Sequence, residues 1–193
     1  MDERLVEDAV QAIGAARPVV LPTDTVYGLC SSPLAPESLH RLKGRGPEQP
    51  IALLATDVDI LLELVPELPE QVLRNLLPGR LTLILPNPEQ RFPLLGGGDT
   101  IGVRVPNLRG PAERIVTRAG AVAATSANLH GGPDPRRVED VPESIRSASV
   151  VVDGGELPGV PSTVVDLTGE EPRILREGAV PAGEVLSVLS DLG

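Results

Sequence analysis

The apolar residues of this chain come in short runs, each cut off by a proline, a glycine or a cluster of hydroxyl side chains. RPVVLP (17–22), PIALLA (50–55), RLTLILP (80–86), IGVRVP (101–106) and AVAATSAN (121–128) are too short for ordinary helices and read as buried strands. SVVVDGG (149–155), STVVDL (162–167) and PRILREG (172–178) read as three more, the last two joined at TGEEP as a hairpin. Helical spacing lies between them. Val6, Val10 and Ile13 share one face of residues 3–13 beside Leu5 and Ala9, with Asp2 placed as a cap and Gly14 as a stop. APESLHRLKGR opens a helix at Pro36 and closes it near Gly44, and further helices are expected at 57–65, 69–76, 110–120 and 181–190.

Strands and helices mix without the strict alternation of a doubly wound sheet. The expected fold is therefore α/β: a single domain over 1–193, with a twisted, mixed, open sheet flanked by helices. A chain of 193 residues that is 41% hydrophobic can bury one such core. No uninterrupted apolar stretch approaches the about 18 residues of a membrane span, and MDERLVEDAV carries acids where a targeting peptide carries bases, so a cytoplasmic location without membrane contact is expected. Cys30 is the only cysteine, which excludes an intrachain disulfide and a multi-thiolate metal site; after an apolar strand it reads as a buried, inert thiol.

Charge and aromatic content narrow the chemistry. A formal net charge of −10 argues against a nucleic-acid coat, so any anion must meet a local basic cluster. Tyr27 and Phe92 are the only aromatic residues, too few for a base-stacking platform. Lys43 is the only lysine among seventeen basic residues. The chain has no G-x-x-x-x-G-K-[ST] loop, no G-x-G-x-x-G and no G-x-S-x-G, and His40 and His130 read as surface or packing residues rather than metal ligands.

What remains is a set of polar clusters at strand ends: PTDTVYG (22–28), KGR (43–45), TIGVRVP (100–106), TSAN (125–128), PST (161–163) and LREG (175–178). Strand ends are where open α/β sheets bind ligands. Lys43, Arg45 and Arg176 are cations suited to phosphate oxygens, Arg104 can grip a carboxylate through its planar fork, and Thr25, Ser126, Ser162 and Asn128 can fix hydroxyl, amine or amide groups. Such an inventory suits a triphosphate beside an amino acid. Asp24, the one acid in the first cluster, reads as a turn or cap carboxylate. The glycine run at Gly96 to Gly98 reads as a flexible loop able to move over a site.

In these six ordered motifs, from about Val19 to Val180, the chain resembles the YrdC-like threonylcarbamoyl-AMP synthases, in their single-domain form. The resemblance implies a YrdC-like fold and an enzyme, a nucleotidyltransferase that makes L-threonylcarbamoyladenylate and pyrophosphate from ATP, L-threonine and bicarbonate. That adenylate supplies the N6-threonylcarbamoyl group of adenosine 37 in tRNA, so the resemblance also implies a hand-over to a tRNA threonylcarbamoyl transferase. It allows tRNA binding without requiring it.

Carried over by position, Thr25, Arg104, Ser126 and Ser162 are expected to hold threonine, with Tyr27 and Thr23 of the first motif shaping the pocket. Arg45, Thr100, Asn128 and Arg176 are expected to hold ATP with Lys43 beside them, and Gln49 stands near the nucleotide where relatives have Asn or Lys. Lys43 and Arg45 are the expected catalytic pair, acting with Mg2+ carried by ATP and with no protein metal ligand. Leu54 stands where some relatives carry a histidine, and Arg136 where a hydroxyl residue is common. Two other functions share part of this inventory: a non-catalytic RNA-binding module, and a paralogue that adenylates a different carbamate.

Overall fold

In the computed structural model, which describes residues 3–192, the short apolar runs become the strands of one nine-stranded sheet. In chain order these are β1 (Val19–Pro22), β2 (Tyr27–Ser31), β3 (Ala52–Ala55), β4 (Leu81–Pro86), β5 (Thr100–Arg104), β6 (Ala121–Ser126), β7 (Val150–Val151), β8 (Thr163–Asp166) and β9 (Arg173–Arg176). The helices are α1 (Glu3–Gly14), α2 (Glu37–Lys43), α3 (Val58–Leu64), α4 (Glu70–Leu76), α5 (Gly110–Ala119), α6 (Glu143–Arg146) and α7 (Ala182–Ser190). The cap expected at Asp2 lies outside the described residues.

Across the sheet the strands run β7-β1-β2-β6-β3-β5-β4-β8-β9. The β1/β7, β3/β5 and β4/β8 pairs are parallel and the others antiparallel, which makes the sheet mixed as expected. β8 and β9 form the hairpin expected at TGEEP.

Two expectations need correction. The first motif is a hairpin rather than the end of a lone strand: Tyr27–Ser31 is wholly buried and pairs antiparallel with β1, so Thr23 to Val26 form its turn. Gly28 in the middle of this short segment hides its strand character from local pattern. SVVVDGG contributes only the two residues of β7. After Val152 N–H bonds Val20 O, the chain leaves the sheet.

Side chains alternate across the sheet, so each strand divides its residues between two faces. On one face Leu53, Leu83, Leu85, Ile101, Val103 and Ala123 pack with residues of α3, α4, α6 and α7, among them Leu61, Leu73, Ile145 and Val185. On the other, Val19, Leu21, Cys30, Leu54 and Val122 pack against Val6, Ala9 and Ile13 of α1 and Ile115 and Val116 of α5. The α1–α5 pair covers only part of that second face, and the rest is the floor of a cavity. No described helix is long and apolar enough to cross a membrane.

Candidate functional site

The cavity has a volume of about 490 Å3. Registered pairs build its floor: Gly28 lies opposite Ser126, Ala52 opposite Ala124, Ile84 opposite Gly102 and Thr82 opposite Val164. Two glycines and two alanines at adjacent positions of a sheet leave depth that larger side chains would fill. Four cationic side chains, Lys43, Arg45, Arg104 and Arg176, line this space with a single carboxylate, Asp134. A chain of formal net charge −10 therefore concentrates positive charge in this cavity.

Arg104 ends β5 on the floor and is held by the β1–β2 turn. Its Nη2 donates to Asp24 Oδ1 at 2.6 Å and to Thr25 Oγ1 at 2.9 Å, while Asp24 Oδ2 accepts the Asn107 N–H at 3.1 Å. Thr23 gives its one hydroxyl proton to Val26 O, so the Thr25 hydroxyl donates to Thr23 Oγ1, 3.0 Å away. The hydroxyls of the first motif thus form a one-directional chain leading from the guanidinium. Arg104 Nε is buried with no partner among the described residues. Burial pulls the guanidinium's pKa down, and Asp24 opposes the shift. Asp24, read from sequence as a turn carboxylate, is also the counter-ion of this arginine.

Lys43, the last residue of α2, is only 4% exposed. Its Nζ donates to Ser126 O at 2.6 Å, to Asn128 O at 2.8 Å and to Asn128 Oδ1 at 2.6 Å, which engages all three protons within the protein. Asn128 is equally occupied: Oδ1 also accepts from Ser126 Oγ, and Nδ2 donates to Gly132 O at 2.6 Å. Lys43 and Asn128 line the cavity, but they organise the loop after β6 rather than offer free donors. Burial, with Arg45 as a neighbouring like charge, lowers the Lys43 pKa to about 8 against the pull of Asp134.

The free cationic capacity lies with Arg45 and Arg176. Arg45 follows the left-handed Gly44 that ends α2, makes one long contact of 3.4 Å to Pro50 O, and has a buried, unpartnered Nε. Burial lowers its pKa. Arg176 bonds the Ser162 carbonyl through Nε at 3.2 Å and Nη2 at 2.8 Å. Ser162 Oγ shares a 2.9 Å hydrogen bond with Thr82 Oγ1, a cavity residue that sequence reasoning missed although the alternation of RLTLILP marks it. Thr100 lines the wall and donates to Gly97 O at 2.8 Å, and Ile51 N–H bonds Leu95 O, so the glycine loop is tied to the segment after Arg45.

Three expected site residues do not line the cavity. Thr25 is fully buried beneath Arg104, and it reaches the site through that side chain. Tyr27 points to the opposite face of the sheet, where its hydroxyl accepts the Gly154 N–H and has its one proton within reach of Gly155 O at 2.8 Å and Asp153 Oδ1 at 3.1 Å. Gln49 contributes neighbouring backbone, 3.3 Å from where a Cβ on Gly96 would sit, and no cavity side chain. The one-residue alternation of β2 sends Tyr27 and Gly28 to different faces, which a motif read as a unit cannot convey. Arg136 is tied to Glu156 away from the cavity, Leu54 is buried on the floor, and Cys30 is fully buried with its pKa raised to about 12 by burial. His40 is buried, with its pKa lowered by burial and by Arg45, while His130 is exposed at the cavity rim.

The threonylcarbamoyl-AMP synthase of Pyrococcus abyssi is 33% identical over 201 residues, covering 100% of this chain and 59% of that protein. The Bacillus subtilis enzyme of the same name is 32% identical over 185 residues, covering 90% of this chain and 53% of its own length. The chain thus spans between half and two thirds of the length of these two relatives. The crystal structure of P. abyssi Sua5 complexed with L-threonine superposes with a TM-score of 0.87 at 33% identity, covering 98% of this chain and 58% of that one. The Sua5/YciO/YrdC family model, which carries the description "Telomere recombination", matches residues 11–178, and with these relatives it makes the chain a member of the Sua5/YciO/YrdC family.

Proposed function

We propose that the chain is an L-threonylcarbamoyladenylate synthase, joining ATP, L-threonine and bicarbonate with release of pyrophosphate. The observation that carries this reading is the division of the cavity. A buried arginine fork on the floor suits the carboxylate of an amino acid, and Arg45 and Arg176 on the walls suit the phosphates of a nucleotide. Family membership and a relative crystallised with L-threonine support it further.

The chemistry needs no protein nucleophile. The amine of threonine condenses with bicarbonate to a carbamate and water. A carbamate oxygen then attacks the α-phosphorus of ATP, and the bond to the β-phosphate breaks as pyrophosphate leaves. The chain contributes placement, by holding amino acid and triphosphate in line, and stabilisation of phosphate charge by Arg45 and Arg176. Lys43 keeps Ser126, assigned to threonine, and Asn128, assigned to ATP, in position beside each other. No cluster of three His, Cys, Asp or Glu able to hold a metal exists among the described residues. Magnesium would enter as part of the nucleotide substrate and neutralise phosphate charge there. The adenylate is an activated mixed anhydride that must be consumed by an acyl-type transfer, and we propose, on the family resemblance, that a transferase acting on tRNA in the cytoplasm takes it over.

The test is pyrophosphate release from MgATP, with threonine and bicarbonate each omitted in turn and serine offered in place of threonine. Release that needs both, and falls with serine, supports the proposal. Release that ignores threonine points to another carbamate, and no release in any mixture removes the synthase reading.

A further inference from the structure

We propose that Asp24 makes Arg104 a carboxylate-selective subsite, by holding the guanidinium in one orientation and cancelling its charge so that phosphate groups are left to Arg45 and Arg176. The inference deepens the proposed function and rests on it. Among the four cavity cations only Arg104 is paired with a carboxylate. Arg45 and Arg176 bond carbonyl and hydroxyl oxygens, and Lys43 bonds carbonyl oxygens and an amide, so none of those three has a carboxylate in contact.

The pair is well enclosed. The Arg104 side chain is 12% exposed and that of Asp24 7%. At such depth a lone guanidinium would attract the most highly charged anion present, and in this cavity that is a triphosphate. With Asp24 at 2.6 Å the Arg104 region is close to neutral overall. It can then accept a single carboxylate through directed hydrogen bonds, while a triphosphate gains more from the unneutralised arginines. Orientation comes from the same contacts. Both Nη2 protons are used on Asp24 and Thr25, Asp24 is itself fixed by the Asn107 N–H, and Nη1, which makes no hydrogen bond among the described residues, remains for the substrate. Asp24 is therefore a positioning residue. It does not line the cavity and acts through Arg104.

Two substitutions separate the two roles. Asp24→Asn keeps the size of the side chain and removes its charge; Asp24→Glu keeps the charge and displaces it by one methylene. In Asp24→Asn the KM for threonine is expected to rise about tenfold or more, the scale of one lost charged hydrogen bond, with the KM for ATP within about twofold. Inorganic tripolyphosphate should become competitive with threonine in this variant alone. In Asp24→Glu threonine binding should weaken while tripolyphosphate stays non-competitive with it. A merely structural residue would instead lower the melting temperature and move both KM values together.

Calorimetry on the unsubstituted protein provides a reading that no folding defect can obscure: threonine and tripolyphosphate should bind without displacing each other. Displacement in the unsubstituted protein, or a threonine KM unchanged in Asp24→Asn, overturns the inference and leaves the synthase reading standing. Threonine binding with no pyrophosphate release under any condition overturns the synthase reading and leaves the subsite standing.

Discussion

Lys43 Nζ lies 2.6 Å from Asn128 Oδ1 and 2.8 Å from Asn128 O, so the one lysine of the chain binds both ends of a single asparagine. A third bond to Ser126 O uses its last proton. Burial and Arg45 bring its pKa to about 8 from an ordinary 10.5. Above about pH 8 the amine therefore loses one donor, and one oxygen of the 126–128 loop loses its partner. We expect kcat/KM for ATP to fall as pH rises through that value, and the limb to vanish in Lys43→Met, whose activity is low throughout. The sign for stability is opposite. Between about 8 and 10.5 the unfolded chain binds more protons at this lysine than the folded one, so its contribution to stability rises with pH. Activity falling across that window while chemical denaturation shows no matching loss at this group would separate loop loosening from unfolding.

Tyr27→Phe is expected to spare catalysis. The hydroxyl serves the 153–155 turn on the far face of the sheet, accepting the Gly154 N–H at 3.0 Å and sharing its one proton between Gly155 O at 2.8 Å and Asp153 Oδ1 at 3.1 Å, and burial raises its pKa to about 12. Its loss strands the Gly154 N–H, while Asp153 Oδ1 keeps the Gly155 N–H, a cost of about 1–3 kcal/mol by denaturant unfolding. The KM for threonine should stay within about twofold, the scatter of such assays being far below one charged hydrogen bond. A tenfold rise would return Tyr27 to the site.

How much of this was legible without coordinates differs by residue. Thr100, Gly102 and Arg104 share a face by simple alternation, as do Thr82 and Ile84, so strand identity alone gathers most of the floor. The Arg104–Asp24 pair joins positions 80 apart, and no local pattern encodes it. Thr25 and Tyr27 stand two apart in one motif, and by spacing alone they belong to one site. A hairpin turn and the first residue of β2 then carry them to different places. The dual occupation of Lys43 was equally hidden, since a lysine before a glycine looks the same whether its protons face a phosphate or a carbonyl. Residue type announced the charge, and only tertiary packing decided which charges stay free.

Gly102→Val tests whether the floor must be small. A Cβ at Gly102 would meet nothing nearer than Ala52 Cα at 3.6 Å, and the backbone is not left-handed there, so the strand accepts a side chain at this position. Valine suits a central strand better than glycine, and stability should be unchanged or rise by about 0.5–1 kcal/mol. The added methyl groups project into the cavity between Ala52 and Ile84. We expect a raised or unchanged melting temperature together with loss of threonine and ATP binding by calorimetry. Full binding in a stable Gly102→Val would place the ligands elsewhere.

Arg45 and Arg176 should differ when each is cut to alanine, although both are assigned to phosphate. Arg45 has one weak contact within the protein, to Pro50 O at 3.4 Å, so Arg45→Ala removes little structure. Its effect should fall on ATP alone, as a loss of about 2–5 kcal/mol in kcat/KM if a phosphate oxygen is left unpaired. Arg176 also holds the Ser162 carbonyl through two nitrogens and approaches Ser162 Oγ at 3.3 Å. Arg176→Ala therefore frees Ser162, whose hydroxyl is tied to Thr82 on the cavity floor, and should raise the threonine KM as well as that of ATP. Steady-state kinetics with each substrate varied at saturating levels of the other reads the difference directly. If Arg45→Ala shifts both constants equally, the amino-acid and phosphate ends of the cavity are not separate, and the assignment of Arg45 to phosphate alone fails.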